Sequence, residues 1–446
     1  MTSFVFAPEQ WSNLRTALLA DANRETAAAL VVVGGNYDGG VRVVVRDIEV
    51  AEADDYLERS GSIASLSPSF VARALKRARL LGGGLVLAHS HPAQQDVHFS
   101  SVDDLAQKTL APSLFARTPG PHGFLVVGPG GFEARLFDEE GKTLFEVDAI
   151  QEIGRVVNYI GRRLPDAEPL EPFFDRNVRA FGRDGQLLLS QLRIGVVGVG
   201  GTGSIVVEEL SRLGVGRILL IDPEIVEETN LNRLIGATGE DVGQPKVTVA
   251  ARAASRARST IVAKGICGSI LEEDVGRSLL DCAFVFCCTD SHGSRAVLNQ
   301  LSYQYRLPMI DVGVRIDAKS GVVAAMSTRV QMLAERLACL NCYPLLDPNA
   351  IRRDLMVDPS TDPYIVGTFE PQPAVISINA ATSSMAVSMF LSAMVGFPGD
   401  ARHVVGRPIE GIVRPVKSSP NPSCVVCGTL YALAKGDTWP MIWRQS

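Results

Sequence analysis

The run Arg193-Ile-Gly-Val-Val-Gly-Val-Gly-Gly-Thr-Gly-Ser204 decides the fold of the larger part of this chain. Leu192 to Val199 is an apolar, strand-like run, and Gly203 to Leu213 has helical spacing. The glycines at 198, 200, 201 and 203 stand between them. Residues without Cβ let the backbone turn sharply and approach phosphate, while the helix start beyond offers unpaired N–H groups and a partial positive charge to an anion. By itself this motif suits nicotinamide enzymes as well.

The residues beyond Ser204 narrow the choice. A second strand, Arg217 to Ile221, ends at Asp222, an acidic residue about twenty positions past the glycines, where a ribose hydroxyl pair is held in such folds. Then come Thr229-Asn-Leu-Asn-Arg233 and Val242-Gly-Gln-Pro-Lys-Val247. A third strand, Phe284 to Cys288, runs into Cys288-Thr-Asp-Ser-His, with Arg295 and Leu298-Asn299 beyond it. Strands alternate with helices at Gly203 to Leu213 and Lys246 to Ala257, the pattern of a doubly wound, parallel α/β sheet.

These blocks, in this order, resemble the ThiF/MoeB adenylating enzymes, whose core is shared with ubiquitin-activating enzymes. The resemblance covers Phe173 to Ser446. It implies a Rossmann-like domain that binds ATP and Mg²⁺ and adenylates a carboxylate. A carboxylate attacking the α-phosphate meets a polyanion, so fixed cations and a metal are needed. By resemblance, Arg233 and Lys246 contact the phosphates and Asn230 positions them, Asp222 binds the ribose, and Asp290 holds Mg²⁺. The family also brings an arginine across a homodimer interface. Arg179 matches it best and Arg176 is the second choice, against the plain alternative of a solvated helix face. The family's asparagine after the metal-binding aspartate is replaced here by Ser291, a change we expect to be tolerated.

The eight cysteines fall into two groups. Cys339-Leu-Asn-Cys342 and Cys424-Val-Val-Cys427 supply four thiolates, enough for a closed tetrahedral Zn²⁺ site of structural type, as in the family. Thioester-forming members of the family carry a further cysteine between the two pairs. None lies between Cys342 and Cys424, and the matching region, Tyr364 to Glu370, has none. An acyl-adenylate without a self-thioester is the expectation. Cys267, Cys282, Cys287 and Cys288 read as core packing on apolar strands.

Residues 1–160 form a different unit. Ala27 to Val33 and Val41 to Val45 are β-rich runs joined by a turn-rich stretch, Gly34 to Gly40. Pro68 to Leu81 has helical spacing behind a Ser67 cap, Gly84 to His91 reads as a strand, and Phe124 to Val127 with Phe132 to Phe137 completes a sheet. Leu85-Val-Leu-Ala-His-Ser-His-Pro92 places His89 and His91 on one face at a strand end. Phe99-Ser-Ser-Val-Asp-Asp104 comes next, and its Ser-to-Asp spacing is also that of a helix cap. The set resembles the JAMM (JAB1/MPN) metalloproteases, which act on ubiquitin and related proteins. By that resemblance His89, His91 and Asp103 are zinc ligands, Glu25 is the general base and Ser100 steadies the oxyanion. Ser101 and Asp104 satisfy the same spacing.

Pro and acidic residues crowd Arg162 to Phe174, so a linker at 161–172 divides 1–160 from an adenylating domain at 173–446. A net charge of −6 without a Lys/Arg run gives no footing for nucleic acid. Pro371 to Gly399 is uncharged and long enough to span a membrane, but its many Ser, Thr and Asn residues suit a buried helix instead. The start, MTSFVFAPEQ, does not read as a signal peptide, and a cytoplasmic setting is expected. The joint expectation is adenylation and zinc-dependent processing of one ubiquitin-like protein ending in Gly-Gly, with a conjugating-enzyme partner as a further candidate. The alternative is adenylation of a small molecule, a peptide or a tRNA-linked carboxylate. A nicotinamide oxidoreductase is disfavoured by Arg233, Lys246, Asp290 and the cysteine pairs, and a scaffold with decayed sites by the intact motifs.

Overall fold

The computed structural model describes residues 2–162, 170–319, 321–357 and 373–444. Most of the linker and all of the Tyr364 to Glu370 region therefore lie outside the described residues.

The first part holds ten strands: β1 Thr2–Phe6, β2 Ala27–Tyr37, β3 Gly40–Val50, β4 Tyr56–Arg59, β5 Ala64–Leu66, β6 Gly84–Ser90, β7 His122–Gly128, β8 Gly131–Phe137, β9 Thr143–Ile153 and β10 Val157–Gly161. Eight of them form one sheet in the order β1-β3-β2-β6-β7-β8-β9-β10, and β1 also pairs with β9, so the sheet closes on itself. Helices α1 Gln10–Leu18, α2 Pro68–Leu80 and α3 Ser101–Phe115 pack on it. Ser67 caps α2 by accepting from the Phe70 amide. The Gly34 to Gly40 stretch is tighter than its glycines suggest. Gly34 and Gly35 are strand residues of β2, and the turn is Asp38-Gly39. Gly35 is needed for packing: a Cβ there would lie 2.5 Å from the Tyr305 ring of the second part.

In the second part the strands are β11 Arg193–Val197, β12 Arg217–Ile221, β13 Val262–Ile266, β14 Phe284–Cys287, β15 Met309–Lys319, β16 Val322–Leu333, β17 His403–Arg407 and β18 Ile412–Pro415. They form one sheet in the order β13-β12-β11-β14-β15-β16-β17-β18. The first five are parallel, and β15 to β18 are antiparallel to one another. Only the parallel half carries the alternation of strand and helix expected from the sequence. Helices α4 Asp175–Gln191 (interrupted at Gly182, φ 81°), α5 Gly203–Leu213, α6 Lys246–Ala257, α7 Glu273–Arg277, α8 His292–Gln304, α9 Pro348–Leu355 and α10 Ile376–Met394 complete it. The uncharged stretch is α10. It is long and apolar enough to cross a membrane, yet Ala386, Phe390 and Ala393 are fully buried in the core with Phe284 and Phe286 of β14.

The two parts share cores instead of hanging on a tether. Val5, Ile153 and Val157 join the cluster of α10 and the central strands, while Val33 and Val44 join that of Leu279 and Leu280. Arg42 on β3 is fully buried and donates to the carbonyls of Cys282, Tyr305 and Arg306. These carbonyls lie before β14 and β15, so the first part docks at the amino-terminal ends of the parallel strands.

Candidate active sites

The carboxyl ends of those strands carry the glycine-rich turn. Gly198, at φ +83°, ends β11, and a Cβ there would meet the Cys288 carbonyl at 2.8 Å. A Cβ on Gly203 would lie 1.9 Å from the Gly198 oxygen, so glycine lets α5 start against the turn. Beside Gly200 a Cβ would find open space, and beside Gly201 the Asn379 side chain of α10 and the stem of Arg233. Asp222, at the end of β12, accepts from the Val199 amide at 2.8 Å and the Glu224 amide at 2.9 Å. Burial raises its pKa, against the hydrogen bonds and Lys246, which lower it. Lys246 is buried at the start of α6 with its ammonium on the Glu224 carboxylate. Asn230 accepts from the Glu227 amide at 3.2 Å and so closes its own turn. Arg233 donates to the Thr229 carbonyl at 2.7 Å. The Ile235 amide, bonded to Ser204 Oγ at 3.1 Å, draws this segment over the turn. Asp290 is exposed just past β14, where the Cys288 amide bonds the Val197 carbonyl.

Gly198, Gly200, Gly201, Gly203, Asp222, Asn230, Arg233, Lys246 and Asp290 thus gather at one strand-end crevice of a doubly wound fold. Arg179 stands apart. It is exposed on α4, bonded to Asp175 at 2.9 Å, and Arg176 is exposed on the same helix. Asn379 and Glu224 went unread in the sequence, because their place at the crevice follows from contacts across the fold.

Cys339, Cys342, Cys424 and Cys427 place their sulfurs within 4.8 Å of one another. Sulfur separations of 3.3, 3.4 and 3.7 Å suit tetrahedral zinc, since bonds of about 2.3 Å put sulfurs about 3.8 Å apart. The four remaining thiols depart from the sequence-based expectation in one case. Cys267 is exposed, not packed in the core, because β13 ends at Ile266 and the next residue leaves the sheet. Cys282 and Cys287 are buried. Burial pushes the thiols of Cys282 and Cys288 up to about 12, and that of Cys287 well above its usual value.

The other cluster lies in the first part. β2 and β6 are antiparallel with Ala27 opposite His89. That register, continued by the Ser90–Thr26 backbone bond, sets Glu25 across from His91. Glu25 is pinned by its own backbone, its amide on the Ser60 carbonyl at 2.8 Å and its carbonyl on Arg59 at 2.8 Å. His89 Nε2 lies 3.2 Å from His91 Nε2 and 3.1 Å from Asp103 Oδ1, and Glu25 Oε1 is 3.7 Å from His91 Nε2. Asp103 has two tasks. Its Oδ2 accepts from the Ser100 amide and hydroxyl at 2.7 Å in a capping box, while Oδ1 faces His89. Asp104 turns away to Arg135 at 2.7 Å, and Ser101 is the exposed first residue of α3. Glu25 is raised by burial. Burial acts on Asp103 in the same sense, but hydrogen bonds from His89 and Ser100 outweigh it and hold Asp103 below the carboxylate range. Burial lowers His91. Tetrahedral zinc at about 2.0–2.1 Å from its ligands separates them by about 3.3 Å. The 3.2 and 3.1 Å spacings about His89 match this, His91 Nε2 stands 3.8 Å from Asp103 Oδ2, and Glu25 joins His89 and His91 with ligand atoms within 4.8 Å of one another.

The strand-end crevice defines a nucleotide-binding α/β protein. The model of the ThiF family matches residues 174–424, more than half of the chain, and the chain belongs to that family. A tRNA threonylcarbamoyladenosine dehydratase of Bacillus subtilis is 50% identical over 74 residues, covering 17% of this chain and 29% of that protein. A molybdopterin-synthase adenylyltransferase of Salmonella typhimurium is 29% identical over 271 residues, 59% of this chain and 98% of that one. Among solved structures, E. coli MccB with ATP aligns at a TM-score of 0.47 and 19% identity, covering 58% of this chain and 75% of that one. The family match begins at Phe174 and leaves the first part of the chain outside it.

Proposed function

We propose that the chain adenylates the C-terminal carboxylate of a ubiquitin-like protein and processes the same protein at the His89–His91 cluster. Family membership, together with the gathering of the glycine turn, Asp222, Arg233, Lys246 and Asp290 at one crevice, carries the first half. A carboxylate oxygen attacks the α-phosphorus of ATP, the bond to the β-phosphate breaks, and pyrophosphate leaves. Arg233 and Lys246 meet the phosphate charge, with Lys246 exchanging Glu224 for phosphate. Asp290 would hold Mg²⁺, which would neutralise charge on the phosphate oxygens. Arg179 acts from the partner in a homodimer. Cys282, Cys287 and Cys288 are held protonated by burial, and Cys267 is the exposed thiol of the four. In our reading the activated acyl group passes to an external acceptor, in reduced, cytoplasmic surroundings.

For the second half, His89, His91 and Asp103 would hold zinc, which would supply the Lewis acidity that brings a water's pKa toward neutrality. Glu25, 3.7 Å from His91 and with its pKa raised by burial, would take the proton, and Ser100 would support the oxyanion. The four-cysteine site would hold a structural zinc. A second reading, adenylation of a small molecule, a peptide or a tRNA-linked carboxylate, is favoured by the lack of a cysteine between Cys342 and Cys424.

The test is ATP–pyrophosphate exchange with a ubiquitin-like protein ending in Gly-Gly. Asp290→Ala and Arg233→Ala should each lower exchange by about a hundredfold or more, with an unchanged circular dichroism spectrum. Near wild-type exchange in both variants sinks the adenylation reading. Exchange driven by a small carboxylate and not by the protein selects the second one.

A further inference from the structure

Asp290 hangs between two anchors. On one side the Cys288 amide bonds the Val197 carbonyl, and the backbone at Thr289 abuts Gly198. On the other side the chain enters α8 through Ser291, whose Oγ caps the helix by accepting from the Ser294 amide at 3.1 Å. That cap needs no help. Yet one oxygen of Asp354, the last residue but one of α9, accepts both the Ser291 hydroxyl at 2.8 Å and the Gly293 amide at 2.9 Å. The approach is close enough that a Cβ on Gly293 would lie 2.6 Å from Asp354 Cβ.

Asp354 is itself held. Its carbonyl accepts from Arg444 at 3.0 Å, and the other end of α9 is tied to the start of α8 by the Asp347 amide on His292 Nδ1 at 3.1 Å. Helix α9 therefore clasps the first turn of α8 at both ends. It starts a few residues beyond Cys342, so the clasp grows out of the cysteine cluster.

We infer that Asp354 is a positioning residue for Asp290: by gathering the Ser291 hydroxyl and the Gly293 amide on one oxygen, it sets the direction in which the Asp290 segment leaves β14. This rests on the reading of Asp290 as a magnesium residue. A single exposed carboxylate binds a hydrated cation weakly unless its backbone is held, and groups behind a metal ligand typically govern about ten- to a hundredfold of metal affinity.

The probe is ATP itself, titrated calorimetrically into the full chain at a series of free Mg²⁺ concentrations and once in EDTA. Asp354→Ala should raise the Mg²⁺ needed for half-maximal ATP binding about tenfold, leave binding in EDTA unchanged, and be rescued by Asp354→Asn, whose amide oxygen still accepts. A residue that merely stabilises the fold would move the EDTA value equally or move neither. Either result for Asp354→Ala overturns the inference. If Asp354→Ala does not fold, Ser291→Ala is read in the same way, with a smaller rise expected and no change overturning. Asp290→Ala separates the two levels. Loss of Mg²⁺ dependence there, with none of the expected rise in Asp354→Ala, refutes the inference alone. Persistence of the dependence in Asp290→Ala refutes the magnesium reading and the inference with it.

Discussion

The two metal-capable clusters among the described residues are built on opposite plans. Cys339 and Cys342 meet Cys424 and Cys427 from two distant segments, and the four sulfurs would close the coordination of a metal ion. The His89–His91 cluster takes its groups from β6, from the approach to β2 and from the first turn of α3, and each is already restrained by backbone or capping bonds. In the proposed zinc reading a fourth position there is left for water. The difference teaches that a closed set of thiolates joins segments, whereas an open set is held by a fold that stands without it.

The contrast extends to imidazoles. His91 has Gln94 at 3.0 Å on one nitrogen. His403, at the start of β17 beside the Tyr343 ring, is buried with neither ring nitrogen hydrogen-bonded among the described residues. Burial, with the Arg329 guanidinium adding to it, lowers its pKa to about 4.

The comparison breaks most readily at the cysteines. Cys339→Ser should lower the melting temperature by about 10 °C or more, because the tie between the 339–342 and 424–427 segments is lost. A shift under about 2 °C, the size expected of an ordinary surface substitution, would mean that the cluster joins nothing.

A smaller effect concerns His403. Its folded pKa lies below the unfolded value of about 6.5, so the unfolded state binds the proton first. Stability present above about pH 6.5 should then be lost as pH falls toward about 4. Urea titrations of His403→Leu should show a flatter profile across that window, and an unaltered slope would contradict the assignment.

The smallest effect on stability is expected at the open cluster. His89→Ala should remove one of two zinc ions per chain and move the melting temperature by only about 1–2 °C. A metal count unchanged by this substitution would sink the ligand reading, and a large melting shift would erase the contrast with the cysteines.

Local signals made much of this molecule legible. The ranges of α5, β12 and α6 coincide with the runs read from sequence, because strand alternation, helical spacing and the glycine turn act over a few residues. The order of the blocks also carried the family. Gly34 and Gly35 misled, because glycine signals a turn and a close approach alike, and only the Tyr305 ring shows which one applies. The exposure of Cys267 was hidden by its apolar neighbours.

By itself, then, the amino-acid order determined the doubly wound domain, its glycine turn, the paired cysteines and the histidine pair. The tertiary structure decided what no spacing rule could: that Asp103 faces the histidines while Asp104 faces Arg135, that Arg42 is buried on the carbonyls of the other part, and that Asp354 reaches Ser291. Asp103 and Asp104 have the same chemistry and are separated only by the direction of a helix turn against β6. The other two contacts join residues far apart in the chain, and their partners are chosen by packing, which has no short-range trace in sequence.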